Sequence, residues 1–319
     1  MHEFDIIKKY FTNQTRQRSD VNCGIGDDAA IVTIPSGQEL IITTDTLVAG
    51  VHFPLSTSPY DIGYKSLAVN LSDLAAMGAT PAWITLALTL EHYDEHWLQE
   101  FSRGLFMLAN DYQIQLIGGD LTHGPLSITI QAFGFTPTCQ ALLRKNAKPD
   151  DLIYVTGTLG DAGLALHYLK KNITLNEQDQ HYLLNRLNQP EPRVAIGESL
   201  RNIAHAAIDI SDGLAADLSH ILEQSELGAI LYVDTLPLSP ALTRALSNEE
   251  AIALALTAGD DYELCFTVPA IREAKLIEKL ASQPCQYTCI GKITAQTGLT
   301  LNYQDGRQYH GATSGYQHF

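Results

Sequence analysis

The chain has 319 residues, of which 45% are hydrophobic and 18% are charged. This balance is typical of a folded globular protein, and the length is enough for two domains with substantial cores. The formal net charge of −16 argues against nucleic acid and anionic membrane surfaces as partners, because both need a basic footprint. It also predicts that any phosphate-bearing ligand binds together with a cation.

The N-terminus and the cysteines indicate where the protein resides. Residues 1–5 contain no basic region followed by an apolar run, so no signal peptide is predicted, and no stretch has the apolar length of a membrane span. The cysteines are Cys23, Cys139, Cys265, Cys285 and Cys289. Their odd number and wide spacing, without a second pair or clustered histidines, favour reduced thiols over disulfides or a zinc site. We therefore expect a cytoplasmic protein.

The first half of the chain predicts alternating helices and strands. Its expected elements are a short amphipathic helix at residues 3–11, strands at 29–34 and 39–44, a helix at 61–78, a strand at 83–90, a helix at 94–112, and strands at 115–118 and 127–135. We expect Asp61 to cap the second helix and Gly78 to end it. Turn residues predict that the first two strands form one hairpin and the last two another.

Carboxylates recur beside glycine, hydroxyl or amide residues at the ends of these apolar segments. The first hairpin would bring Asp28 and Asp45 to the same end, because its strands are antiparallel. Ser66, Asn70 and Asp73 share one face of the second helix; a polar stripe that faces water is the alternative. Two carboxylates about 5 Å apart repel by roughly 3 kcal/mol at an effective dielectric near 20. Hard oxygen ligands without His or Cys favour Mg²⁺, which takes its remaining ligands from water and phosphates. The residues thus predict a Mg²⁺-dependent phosphoryl-transfer site.

A change to polar composition near residues 146–151 predicts a domain boundary. We place an N-terminal domain at residues 1–146 and a C-terminal domain at residues 147–319, which gives an α/β or α+β protein of two domains. Arg144 stands out just before this boundary, because the chain has few basic residues, and a guanidinium is a natural phosphate clamp in an acidic site. Lys145 is explained equally well as a solvated group.

Two loops of the C-terminal domain carry glycine and acidic residues. Residues 157–163 follow a predicted strand and precede a helix, as in loops that bind phosphate; a plain helix start with Asp161 in its first turn is an equal alternative. The second loop contains Asp209, Ser211 and Asp212. Ser211 or Asp212 would be an ordinary N-cap, whereas Asp209 interrupts an apolar strand and requires another explanation.

Several motifs, in their order and spacing, resemble those of the thiamine-monophosphate kinase family over nearly the whole chain. They are Gly24-Ile25-Gly26-Asp27-Asp28-Ala29, the run from Thr43-Thr44-Asp45-Thr46 to His52-Phe53, Asn70-Leu71-Ser72-Asp73 to Gly78, Gly118-Gly119-Asp120, Asp209-Ile210-Ser211-Asp212-Gly213, and Asp260-Asp261-Tyr262-Glu263-Leu264. The wider group includes aminoimidazole-ribonucleotide synthetase, selenophosphate synthetase and a hydrogenase-maturation protein. The resemblance implies an N-terminal mixed sheet with helices that dimerises into a barrel-like interface, and a C-terminal α/β sandwich domain that covers the cleft.

The same resemblance implies ATP-dependent phosphorylation of thiamine monophosphate to thiamine diphosphate by a homodimer with several Mg²⁺ ions. The implied metal ligands are Asp28, Thr43, Thr44, Asp45, Asp73, Asp120, Asp209 and Asp212. The implied ATP contacts are Gly119, Asp120, Arg144 and Ser211. The implied substrate contacts are His52, Asp260 and Tyr316. The family usually has Glu in place of Asp260, and the shorter side chain leaves a direct or a water-mediated contact open.

The implied acceptor is a phosphate monoester, which needs charge neutralisation and in-line alignment rather than a general base. We therefore expect direct γ-phosphoryl transfer and no residue that acts as a covalent nucleophile or an obligatory base. Two alternatives stay open: another ATP-dependent ligase or synthetase of the same superfamily, and a non-catalytic regulator that binds nucleotide or metal. Selenophosphate synthetase is disfavoured, because Cys23 is isolated rather than part of a reactive glycine-rich loop.

Overall fold

The computed structural model describes residues 2–311 and Gly315. The chain divides into two compact units, one of Met1–Leu74 and Ala79–Cys139 and one of Ala75–Gly78 and Gln140–Phe319. Each unit combines helices with a mixed sheet, which confirms the predicted α/β class. The domain boundary placed after residue 146 stays a prediction. Within the described residues, no helix is both long and apolar enough to cross a lipid bilayer.

The first unit is built on a mixed sheet. Its elements are α1 (Glu3–Ile7), a π-helical turn (Lys8–Thr12), β1 (Val21–Cys23), β2 (Ile31–Val32), β3 (Gln38–Val48), α2 (Pro59–Ala76), β4 (Thr80–Leu90), α3 (Glu95–Asp111), β5 (Gln115–His123) and β6 (Ser127–Pro137). In the described part of this unit, the sheet has the strand order β3–β6–β4–β5, and β1 pairs separately with β2. Strands β4 and β5 are parallel, whereas β6 is antiparallel to both β3 and β4. A helix between two parallel strands is the usual crossover connection, and α3 fills that position.

Both predicted hairpins are wrong. Strand β2 pairs with β1 rather than with β3, and β3 pairs with β6. Strand β4 lies between β5 and β6, so these two strands are not neighbours although they follow each other in the chain. The turn residues were read correctly as chain reversals, but long-range packing selects the neighbour of each strand.

Helices α2 and α3 meet at two glycines. A Cβ atom on Gly63 would lie 2.1 Å from the Phe101 carbonyl oxygen, and one on Gly104 would lie 2.0 Å from the Tyr60 carbonyl oxygen. Only glycine permits such close backbone contact at these positions. The same helices bury a row of apolar side chains: Leu67, Leu71, Leu74, Leu98, Phe101 and Leu105. This close packing fixes the position of α2 relative to α3, and with it the position of the polar residues on one face of α2.

The ends of α2 differ partly from the prediction. The Ser58 hydroxyl oxygen accepts the Asp61 N–H at 3.1 Å and its O–H donates to Asp61 Oδ2 at 2.7 Å. Ser58 therefore caps the helix, and the predicted cap at Asp61 is wrong by one turn. Gly78 has a φ of +65°, the left-handed conformation that ends helices, so the predicted end is confirmed.

The second unit contains a larger sheet flanked by helices. Its elements are β7 (Asp151–Thr156), α4 (Asp161–Leu169), α5 (Glu177–Asn188), α6 (Val194–Leu200), β8 (Ala206–Asp209), α7 (Leu214–Ser225), β9 (Gly228–Tyr232), α8 (Pro240–Ala245), α9 (Asn248–Thr257), β10 (Leu264–Pro269), α10 (Glu273–Leu280), β11 (Tyr287–Thr294) and β12 (Gly298–Asn302). Its described strands follow the order β12–β9–β11–β7–β10–β8, with only the β12–β9 pair parallel. The β8–β10 ladder pairs Asp209 with Leu264 and so joins two of the predicted motifs.

Candidate active site

One group of predicted site residues lies between β3 and α2. The Thr43 hydroxyl donates a hydrogen bond to Asp73 Oδ2. Asp45 lies on the same strand face as Thr43, since residues two apart in a strand share a side. Burial raises the pKa of Asp45 to about 7, and the charge of Asp73 adds to the rise. A carboxylate whose ionised form is disfavoured in this way is stabilised by a bound cation.

The remaining residues of this helix face are buried. Ser66 and Asn70 are fully enclosed, which makes the alternative of a polar stripe facing water wrong for them. Asn70 Nδ2 donates to the Ser66 carbonyl oxygen at 3.1 Å. Asn70 Oδ1 has no hydrogen-bond partner within the described structure. An acceptor oxygen that could serve a ligand therefore lies about one helical turn before Asp73.

A second group lines a cavity of about 740 Å³ in the first unit. Its acidic wall contains Asp27, Asp28 and Asp120, and its apolar wall includes Phe4 and Ile7 of α1. The three carboxylates are exposed to solvent. One side of the cavity is therefore rich in oxygen atoms and the other is apolar. This arrangement suits a ligand with one charged end and one apolar end.

Gly119 occupies a position that only glycine can hold. Its φ is +154°, and a Cβ atom on it would lie 1.9 Å from the Leu86 carbonyl oxygen. At Gly118 a Cβ atom would meet nothing within 4 Å. Strand β5 continues past both glycines, so the prediction that the strand ends before Asp120 is wrong. The sequence signal Gly-Gly-Asp marks a close backbone approach instead of a strand end.

The two acidic groups of the first unit are separate. In the sheet register Asp120, Ala87, Thr129 and Thr46 form one row across the strands, whereas Asp45 stands in the next row, beside Ile130. Adjacent rows point to opposite faces of a sheet. The described residues contain no group of three or more His, Cys, Asp or Glu side chains arranged to hold a metal ion. The predicted convergence of the carboxylates is therefore not preformed within this unit, and their metal roles stay a prediction.

Thr44 and His52 also have defined surroundings. Thr44 lies on the exposed sheet face, where its hydroxyl accepts a hydrogen bond from Gln131 Nε2 at 3.2 Å. His52 Nδ1 accepts the Val48 N–H at 2.9 Å. This bond places the proton of the neutral imidazole on Nε2 and so fixes the tautomer of a predicted substrate contact.

In the second unit the structure brings two predicted motifs together. The Asp260 N–H donates to the Ser211 carbonyl oxygen at 2.9 Å, and the Tyr262 N–H donates to the Ile210 carbonyl oxygen at 2.8 Å. The Ile210 N–H donates in return to the Glu263 carbonyl oxygen at 2.8 Å. These bonds extend the β8–β10 ladder beyond the strands. The residues expected to contact ATP and substrate, Ser211 and Asp260, therefore lie on adjacent, hydrogen-bonded segments.

Sequence reasoning missed Asp217, which organises the 211–213 turn. Its Oδ2 atom accepts the N–H groups of Ser211, Asp212 and Gly213 at 3.0, 3.0 and 3.1 Å. Burial raises the pKa of Asp217 to about 7 despite these hydrogen bonds. Helix α7 has Gly213 at its N-cap position, so the alternative that Ser211 or Asp212 is the cap is wrong. The sequence signal that could have identified Asp217 is its position, four residues after Gly213 of the loop.

Asp209, Arg144 and Tyr316 complete the predicted set. Asp209 is buried at the end of β8, where an apolar side chain would be expected. Arg144 is exposed on a short 3₁₀ turn and forms no ion pair with a carboxylate of the described residues. Tyr316 lies outside the described residues. The neighbouring Gly315 is described, and a Cβ atom on it would lie 2.4 Å from the Asp212 carbonyl oxygen.

Three backbone amides of the 157–163 loop have partners within the protein. The Gly157, Leu159 and Gly160 N–H groups donate to Gln286 O, Pro237 O and Asp261 Oδ2 at 2.8, 3.0 and 2.7 Å, respectively. These amides are thus occupied by the protein. The alternative of a plain helix start is confirmed, with Asp161 in the first turn of α4.

The fold and the motifs together place the chain in a class of related proteins. The AIR synthase related protein family matches the chain twice, with its N-terminal domain at residues 26–136 and its C-terminal domain at residues 148–304. The chain belongs to this family. Within it, the chain is a member of the thiamine-monophosphate kinases, as the following relatives show.

Thiamine-monophosphate kinase of Salmonella typhimurium is 49% identical over 318 residues, which span 99% of this chain and 98% of the relative. The crystal structure of thiamine-monophosphate kinase from Stenotrophomonas maltophilia K279a is 45% identical, with a TM-score of 0.88 and coverage of 97% and 98% of the two chains. A structure of AaThiL complexed with AMPPCP and TMP is 30% identical, with a TM-score of 0.77 and coverage of 99% and 96%.

Proposed function

We propose that this protein transfers the γ-phosphoryl group of ATP to thiamine monophosphate, with thiamine diphosphate and ADP as products. The observation that carries the proposal is the 49% identity to a thiamine-monophosphate kinase over 99% of the chain. The likeness to a relative complexed with AMPPCP and TMP supports both ligands, because AMPPCP is an ATP analogue that cannot transfer its terminal phosphate.

The chemistry explains why the site consists of carboxylates and backbone amides. The attacking oxygen belongs to a phosphate that is largely ionised at neutral pH, so the protein need not remove a proton from it. What remains is to hold two anions in line and to balance their charge. We therefore assign no residue the role of a covalent nucleophile or an obligatory base.

We propose that Mg²⁺ is the resident cation. The donor set fits it: Asp45, Asp73 and Thr43 offer hard oxygen atoms beside one another, and the raised pKa of Asp45 shows how strongly this place disfavours an uncompensated charge. When bound, Mg²⁺ neutralises the negative charge of the transferring phosphates. Further ligands proposed for several ions are Asp28, Thr44, Asp120, Asp209 and Asp212.

The proposed contacts to the two substrates follow the motifs. For ATP they are Gly119, Asp120, Arg144 and Ser211, and for thiamine monophosphate they are His52, Asp260 and Tyr316. Gly119 brings backbone rather than a side chain to the cavity wall, which suits a polyphosphate. The exposed guanidinium of Arg144 suits an anionic ligand.

We further propose a homodimer that forms through the exposed face of the first sheet. Strand β3 is an edge strand of eleven residues, and a long uncovered edge invites pairing. Ile42, on the same face as Thr44 and Thr46, is 53% exposed. A barrel-like interface would cover this side chain. We place the enzyme in the cytoplasm, where its free thiols, such as the exposed Cys139 and Cys289, would remain reduced.

A coupled ADP assay tests the function. We expect ADP release that requires both thiamine monophosphate and Mg²⁺ and that stops in excess EDTA. Release with an aminoimidazole precursor but not with thiamine monophosphate would identify another synthetase of the superfamily. Nucleotide binding without turnover of any acceptor would identify a regulator. With γ-labelled ATP and no acceptor, stable label on the protein would contradict direct transfer.

A further inference from the structure

A buried ionic network of the second unit surrounds the 259–263 segment. Its members are Asp161, Arg186, Arg193, Asp261 and Glu263, which are buried or nearly so. Charged side chains are rarely placed in a core unless they are paired and satisfied. The network is not part of the predicted site, so its location requires an explanation.

Glu263 is held by two guanidinium groups. Its Oε2 atom accepts from Arg193 Nε at 2.7 Å and from the Thr156 hydroxyl at 2.6 Å, while Oε1 accepts from Arg193 Nη2 at 2.7 Å and from Arg186 Nη2 at 2.9 Å. Burial alone would raise the pKa of Glu263, but the hydrogen bonds and charge of Arg193, followed by the charge of Arg186, lower it. The Glu263 carboxylate is therefore ionised and fixed in place.

Asp261 anchors the other side of the segment. Its Oδ2 atom accepts the Gly160 N–H at 2.7 Å, and its Oδ1 atom has no hydrogen-bond partner among the described atoms. The buried cluster contains three carboxyl groups, those of Asp161, Asp261 and Glu263, but two guanidinium groups, so one carboxyl group is in excess. Burial raises the pKa of Asp261 well above its ordinary range, in agreement with one carboxyl group in excess.

Between these anchors the backbone is strained. Asp260 and Tyr262 have φ angles of +68° and +49°, and a bulky residue such as Tyr rarely adopts this left-handed conformation. Such geometry persists only where the surroundings hold it. The Tyr262 hydroxyl donates to Asp260 Oδ1 at 3.1 Å, so the strained pair also orients the Asp260 carboxylate.

The close fit extends to the neighbouring glycine. Gly157 has a φ of +57°, and a Cβ atom on it would lie 2.1 Å from Glu263 Oε1. The glycine loop thus provides space for the Glu263 carboxylate at Gly157 and a hydrogen-bond donor for Asp261 at Gly160. The contact with Glu263 accounts for the glycine at position 157 without a phosphate ligand.

We propose that Asp261 and Glu263, clamped by Gly160, Arg186 and Arg193, are positioning residues that hold Asp260 in the orientation that binds the thiamine-phosphate acceptor. The inference rests on the proposed function, because Asp260 is the proposed acceptor contact.

A double-mutant cycle tests the inference. We expect Glu263→Gln to raise the KM for thiamine monophosphate at least five-fold, with the KM for ATP changed less than two-fold. Asp260→Asn should raise the acceptor KM similarly. The double variant should resemble Asp260→Asn alone, because both changes remove the same contact. Additive effects, or an unchanged acceptor KM in Glu263→Gln, would overturn the inference.

Asp179→Asn is the matched control. Asp179 is also buried and paired with an arginine, Arg244, in the same unit, but it lies outside the network. We expect this variant to lose stability without any change in the acceptor KM. A rise in acceptor KM equal to that of Glu263→Gln would show a general loss of structure and overturn the positioning role.

A second variant covers the case in which Glu263→Gln does not fold. Asp261→Asn keeps a side-chain oxygen that can accept the Gly160 N–H, so we expect a near-wild-type acceptor KM, whereas Asp261→Leu should raise it at least five-fold. Equal KM values for Asp261→Asn and Asp261→Leu would contradict the inference. Calorimetric binding of thiamine monophosphate to the wild type separates the two proposals: absent binding refutes the function and the inference with it, whereas binding with an additive cycle refutes the inference alone.

Discussion

Two sets of carboxyl groups, one in each unit, differ in the partners that surround them. In the first unit Asp28, Asp45 and Asp120, here called the open carboxylates, form no ion pair with a described cation. In the second unit Asp161, Asp217, Asp261 and Glu263, here called the anchored carboxyls, are buried and bound by backbone amides, hydroxyls or guanidinium groups. Open carboxylates are available to an external cation, whereas anchored carboxyls shape the protein. Acidic residues of one sequence thus divide by their partners into proposed metal ligands and structural anchors.

The largest effect on activity is expected at Asp45. It tests whether this residue belongs to the open carboxylates or to the anchored carboxyls. Asp45→Asn should lower kcat/KM by about 10²–10³-fold, because one negative charge for the cation is lost. The thermal midpoint should not fall, since burial disfavours the ionised carboxyl in the absence of metal. Asp111→Asn, at the exposed end of α3, is the control and should leave both quantities unchanged. A large stability loss without an activity loss would place Asp45 among the anchored carboxyls.

The glycine pair of β5 tests how tightly the backbone of the first unit is fixed. Gly119→Ala should destabilise the protein by about 2–4 kcal/mol, because the new Cβ atom overlaps the Leu86 carbonyl oxygen and the φ angle is positive. Gly118→Ala, where the space is open, should cost less than about 1 kcal/mol. Urea denaturation measures both. Equal losses would mean that the close approach is not a constraint.

Asp217 tests whether an anchored carboxyl stabilises the folded protein. Asp217→Ala should lower the free energy of unfolding by about 2–3 kcal/mol, since three backbone N–H groups lose their acceptor. Asp217→Asn retains an acceptor oxygen and should lose about half as much. Glu223→Ala removes an exposed acidic residue of the same helix and should change little. If the alanine variants of Asp217 and Glu223 were equally stable, the anchoring role would be wrong.

The smallest effect is a pH dependence at Glu263. The folded-state pKa of Glu263 lies below its ordinary value of 4.5, so its ionised form stabilises the fold. This contribution is complete above about pH 4.5 and is lost as the pH falls through the lower folded-state pKa. The stability difference between wild type and Glu263→Gln should therefore shrink in acid. A difference that grew as the pH fell would contradict the paired carboxylate.

Local sequence signals predicted most elements but not how the strands associate. The helix end at Gly78 and the extent of α3 follow from short-range patterns. Strand neighbours depend on which faces bury together, which a turn does not encode. Both hairpin predictions failed for this reason, and with them the argument that a hairpin brings Asp28 and Asp45 to one end.

The candidate site shows the same limit. The resemblance placed Asp45, Asp73 and Thr43 within a larger set of metal ligands, and of that set the structure places these three together. No local pattern distinguishes Asp260, a proposed contact, from Asp261, a buried anchor beside it. That distinction depends on Gly160 and on two arginines from distant segments, and it is visible only after folding.

The division into open carboxylates and anchored carboxyls is tested most directly by calorimetric titration of the full chain with Mg²⁺ in the presence of AMPPCP. The account predicts that Asp45→Asn weakens Mg²⁺ binding by at least about ten-fold, the loss expected when one charged ligand is removed. Asp179→Asn, which removes a carboxylate that an arginine already satisfies, should bind Mg²⁺ as the wild type does. Equal Mg²⁺ affinity in wild type and Asp45→Asn would contradict the claim that the open carboxylates hold the cation.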